Sequence, residues 1–171
     1  MSPASHRLPF EHPALEDPAI RVPLRRHQVM TLAAGVASAL GTAGALTLQA
    51  DPVFVRRTLE ARTWGVEEIT GARVAEALVG PGQTAAAVLA VLALTALVVL
   101  GASRLWGPTR WVGAVAALVG LLCGAYWAVD GQAILAVGAP LVLVGCAAMV
   151  VFCAAWLLTA FSRPVRSAFD G

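Results

Sequence analysis

The sequence predicts an all-α, polytopic membrane protein: a bundle of four transmembrane helices with a short helical extracytoplasmic loop between helices one and two. Three observations predict it. The chain is 58% hydrophobic and 13% charged with a mean hydropathy of +0.77, where soluble domains carry about 25% charged residues. The apolar residues are gathered into four blocks, each long enough to cross roughly 30 Å of hydrocarbon. One long polar stretch, DPVFVRRTLEARTWGVEEITGARVAEALVGPG at 51–82, holds nine of the 22 charged side chains and separates the first two blocks.

Residues 1–28 contain Pro3, Pro9, Pro13, Pro18 and Pro23 and little periodicity, which predicts an irregular cytoplasmic tail ending on RVPLRRHQ. The four predicted spans are 29–49, 83–103, 111–129 and 133–161, followed by a short cytoplasmic tail at 162–171. The fourth is longer than a perpendicular crossing needs, which predicts tilt or projection. Pro140 cannot donate a backbone hydrogen bond, so it predicts a kink that frees the carbonyl of Ala136. A cleaved export signal covering RRHQVM and the first block is the weaker reading, because Leu48 is poorly suited to stand three residues before a cut after Ala50.

All twelve basic residues are arginine, and Ala, Val, Leu and Gly dominate, a composition typical of GC-rich bacterial genomes. With the N-terminus inside, eight arginines (Arg7, Arg21, Arg25, Arg26, Arg104, Arg110, Arg163, Arg166) fall on the cytoplasmic side and four fall outside, all in the 51–82 stretch. This bias places both termini in the cytoplasm of a bacterial cell bounded by its inner membrane. Aromatic residues agree: Trp106 and Trp111 flank the Gly107-Pro108 turn, and Tyr126 and Trp127 close the third span, each at a predicted interface.

In lipid, small residues permit the close backbone approach that holds helices together. Gly35, Gly41 and Gly44 in the first span, Gly113, Gly120 and Gly124 in the third, and Gly138 and Gly145 in the fourth are the candidate packing positions. They serve either the bundle's interior, the favoured reading, or a seam with a partner.

Chemical motifs are sparse. No GxSxG, P-loop or HExxH occurs. His6, His12 and His27 all precede the first predicted span, which leaves no imidazole inside the bundle for haem or proton relay, and His27 reads as an interfacial residue. Cys123, Cys146 and Cys153 lack metal-ligand spacing and read as small apolar packing residues. Quinone-coupled disulfide oxidases also have four helices, but they need cysteine pairs near the outer surface. Small multidrug transporters need an acidic residue deep in the membrane, and the predicted spans hold none. No metal or cofactor is expected, and a net charge of +2 with scattered arginines excludes nucleic acid as a partner.

The 51–82 stretch is predicted to be structured. Asp51-Pro52 reads as a carboxylate N-cap with proline at the first helical position, opening a helix to about Trp64 that Gly65 would end. Thr70 reads as the cap of a second short helix, closed by Gly80-Pro81-Gly82. Mixed charge suits a protein partner better than a lipid surface. Asp130, Tyr126, Trp64, Arg73, Glu67 and Glu68 are the candidate partner or solute contacts, with Asp130 able to pair with an arginine of the loop. Glu67, Glu68 and Arg73 are the only dense set an enzyme could use.

The function these features predict is that of a non-catalytic accessory or scaffold subunit of a larger membrane complex. Its partners would be membrane lipid and another membrane protein or a second copy of itself. The alternative is a small-solute or ion transporter acting as a homodimer, with Asp130, Tyr126 and the Pro140 kink near its pathway.

Overall fold

The computed structural model describes residues 18–64, 66 and 68–170, with side chains described between 21 and 166. Among these the only regular secondary structure is helix, with no strand. The elements are α1 (Pro18–Leu48), α2 (Pro52–Arg62), α3 (Gly71–Ala77), α4 (Pro81–Ser103), α5 (Gly107–Val129), α6 (Gly131–Ala136), α7 (Pro140–Ala160) and α8 (Arg163–Asp170). Four of them, α1, α4, α5 and α7, are long and apolar enough to cross a membrane. The shortest, α7, has 21 residues, about 31 Å at 1.5 Å per residue.

The four long helices form a ring in the order α1, α4, α5, α7, packed most extensively along α1–α7 and α5–α7 and least between α4 and α5. One end of the ring, the terminal end, carries the start of α1, the α4–α5 hairpin and α8. The other, the cap end, carries α2, α3 and α6.

Glycines set the crossings. A methyl on Gly41 would lie 3.3 Å from the backbone oxygen of Gly145, so α1 and α7 meet backbone to backbone. Gly35 gives room to Thr95 of α4, and Gly44 faces Val142. Along α5, Gly113 seats the Trp156 ring, Gly120 faces Cys153 Sγ and Gly124 faces Val150 and the carbonyl of Cys146. Seven of the eight glycines singled out from the sequence therefore face neighbours within the chain.

Gly138, predicted to pack in the fourth span, is the exception and meets no neighbour. It has φ +71° and nothing within 4 Å of where a side chain would start. It sits in the left-handed position that ends α6: Gly138 N–H donates to Leu135 O and Ala139 N–H to Ile134 O, the paired bonds of a Schellman cap. The fourth apolar block is consequently not one kinked helix. Pro140 opens α7, where a missing N–H costs nothing. The α4–α5 hairpin uses the same cap with Leu105 at φ +52°, closed by Trp106 N–H to Gly101 O and Leu105 N–H to Ala102 O.

The predicted irregular tail at 1–28 is helical in its last part. Residues from Pro18 onward are helical and continue into the first span. Pro18 suits a helix start, and Pro23 lies only in the second turn. Burial overrides the proline-rich composition: α1 packs on α8, and Leu24 and Val165 are 4% and 2% exposed. Residues 1–17 lie outside the described chain.

His27, read from the sequence as interfacial, is 2% exposed. Its ring centroid lies 5.1 Å from that of Trp156, and its Nδ1 is 3.3 Å from Thr159 Oγ1. Thr31 donates to the His27 carbonyl at 2.9 Å and accepts from Trp156 Nε1 at 2.8 Å. This chain of bonds ties α1 to α7 at the terminal end. The sequence could not show it, because the partners Trp156 and Thr159 lie on α7, far along the chain.

Candidate functional site

The 51–82 stretch folds as a cap with its own small core. Asp51 accepts from Val53 N–H at 2.8 Å and opens α2 at Pro52, and Thr70 Oγ1 accepts from Arg73 N–H at 3.4 Å to open α3. Val55, Ile69 and Val74 pack together between the two helices, with Leu59 and Leu78 against them. The neck is closed by Val79 N–H donating to Gln49 O at 3.1 Å.

A different face of α2 binds the bundle. Phe54, Arg57 and Arg62 recur at spacings that put them on one side of a helix. Phe54 is 1% exposed, with its ring 6.4 Å from Trp127 and nearly parallel to it. Arg57 donates to the carbonyl of Ala136 at 3.0 Å, satisfying an acceptor near the end of α6. Arg62 bonds Asp130 at 2.7 Å, and its guanidinium lies 5.2 Å from the Tyr126 ring centroid.

Burial pulls the Arg62 pKa down, but the bond to Asp130, followed by the contribution of Tyr126, outweighs it and leaves the group above its ordinary value. With the folded value raised, the stabilisation is complete below the ordinary guanidinium range and is lost only at still higher pH. Arg62 titration therefore leaves the clamp unchanged over the working range. Because the Arg62 side chain is half exposed, the pair is worth at most about 1 kcal/mol. Arg62→Gln or Asp130→Asn should speed amide exchange in α2 without unfolding the spans, and a double-mutant cycle should return a coupling of that size.

The structure thus joins two of the predicted contacts, Asp130 and Tyr126, through a loop arginine. It does not bring Glu68 and Arg73 to them: both side chains are exposed on the cap, and Glu67 lies outside the described residues. Trp64 stands at the tip, 91% exposed, with Val66 86% exposed. Trp64 has φ +52°, in the left-handed region, two residues beyond Arg62, the last helical residue of α2. Gly65 lies outside the described residues. Phe54, Arg57 and Trp127 were missed as contacts from sequence; the helical spacing of Phe54, Arg57 and Arg62 was the signal for the first two.

Among the described residues no group of three His, Cys, Asp or Glu side chains could hold a metal. Between the spans lies a groove of about 630 Å³, lined by residues of α1, α4, α5 and α7 and by no charged side chain, and a second hollow of about 570 Å³ lies against α5, α6 and α7. The chain matches no family model, no curated protein and no solved structure.

Proposed function

We propose that the chain is a non-catalytic accessory subunit of a larger complex in a bacterial cytoplasmic membrane, docking another membrane protein through the tip of its cap. The observation that carries this reading is the pairing of a clamped base with an unpartnered apolar tip. Phe54, Arg57 and Arg62 fix α2 on the bundle, while Trp64 and Val66 stand almost fully in the open. Large exposed apolar side chains on a held surface mark contact sites, and tryptophan is enriched among residues that dominate binding energy. Glu60 and Glu68, both exposed and four residues from Trp64 along the chain on either side, supply the polar rim such contacts have. The arginine bias supports a cap on the outer side with both termini in the cytoplasm.

Purifying the full chain in mild detergent tests the reading. The wild type should bring down one recurrent membrane protein. Trp64→Ser with Val66→Ser should weaken that association by about 2 kcal/mol, roughly thirtyfold, and leave the unfolding temperature of the chain unchanged. Recovery of the wild-type chain alone, or undiminished recovery of the partner with the variant, would count against it.

Transport by a homodimer is the second reading, favoured by the groove among the spans. It is the weaker of the two. Asp130 is engaged with Arg62, Pro140 opens a helix instead of kinking one, and the groove lining offers hydroxyls and thiols but no charge.

A further inference from the structure

Gly101 gives room to Thr109, and Gly113 to Val98, so α4 and α5 are tightly packed next to their hairpin. Farther along, both helices line the groove of about 630 Å³, and Gly35 and Ser38 of α1 and Cys153 and Trp156 of α7 line it as well. Along α5 its lining runs from Trp111 to Cys123, about 18 Å at the helical rise.

That length matches one leaflet, which contributes about 15 Å of the hydrocarbon core, and the lining is apolar apart from a few hydroxyls and thiols, the surface a hydrocarbon chain requires.

Charge selects the headgroup. The lining begins at Trp111, next to Arg110, at the terminal end. Arg25, Arg26, Arg104, Arg163 and Arg166 share that end. The acidic side chains described, Asp51, Glu60, Glu68, Glu76 and Asp130, all lie in the cap or at the cap end of α5. We infer that the groove is a binding site for one acyl chain of an anionic phospholipid, drawn from the leaflet at the terminal end, with its phosphate beside the exposed Arg104 of the hairpin. The inference rests on the spans and the groove, independently of any partner at the cap.

Native mass spectrometry of the full chain, titrated with dioleoyl phosphatidylglycerol or dioleoyl phosphatidylcholine, tests it. The anionic lipid should stay bound in a one-to-one complex and raise the unfolding temperature with concentration; the zwitterionic lipid should do so less. Arg104→Gln should narrow the preference roughly fivefold, the effect of one arginine at an anionic surface. Ala116→Phe, which fills the groove from α5, should abolish the retained lipid, and Val119→Phe provides the same test should that variant fail to fold. Leu118→Phe, on α5 but outside the lining, should leave binding intact. Equal retention of both lipids, or retention unchanged by either filling variant, would overturn the inference. So would filling variants that release a co-purifying protein or a second copy of the chain, since the occupant would then be a helix.

Discussion

Replacing Trp156 with alanine should be the most damaging single change in the bundle, lowering stability by about 3 kcal/mol, at the low end of the range for large buried aromatics. The side chain is 2% exposed. It fills the space left by Gly113, packs against His27 at 5.1 Å and donates to Thr31, so it joins α1, α5 and α7 at once. The surrounding medium explains the lower figure: lipid is as apolar as a leucine side chain, so the loss is one of packing and hydrogen bonding and not of burial from water. Trp156→Phe separates the two terms. It keeps most of the ring and removes the Nε1 donor, and because the Thr31 hydroxyl still donates to His27 O, it should cost only about 1 kcal/mol. Denaturant unfolding followed by circular dichroism measures both. Equal losses for the two variants would show that the ring's volume is not what matters.

Gly41→Leu should cost a comparable amount by the opposite route. Its first carbon would sit 3.3 Å from the Gly145 backbone oxygen and 3.5 Å from Met149 Sδ, so the rest of the side chain can be housed only if α1 and α7 separate. Overpacking of this kind costs about 1–3 kcal/mol and occasionally more, and this crossing lies on one of the most extensive helix contacts in the chain. Gly82→Ala is the matched control. Nothing lies within 4 Å of that position, and in the first turn of α4 the change should be neutral or stabilising by up to about 1 kcal/mol. Thermal unfolding of the two variants side by side checks the contrast. A tolerated Gly41→Leu would mean that the α1–α7 crossing is loose.

Features governed by a few adjacent residues were legible in the sequence. Asp51-Pro52 and Thr70 form the caps their chemistry implies, and the apolar blocks locate the four long helices because lipid permits few alternatives to a fully bonded helix. Gly138-Ala139-Pro140 carried a readable stop-and-restart signal, a left-handed cap followed by a proline, that the unbroken apolar run around it hid. The pairing of Asp130 with a loop arginine was anticipated, but the choice of Arg62 depends on how the cap lies on α5 and α6. The structured start of α1 was not legible, since it depends on packing against α8 at the far end of the chain.

The cap tip is where the account of function is most exposed to test. A photoreactive amino acid in place of Trp64, introduced into the full chain in its native cells and activated by light, would record what touches the tip. The account predicts a covalent adduct to one recurrent membrane protein other than this chain, identified by mass spectrometry. Adducts only to lipid, or only to a second copy of the chain, would contradict it.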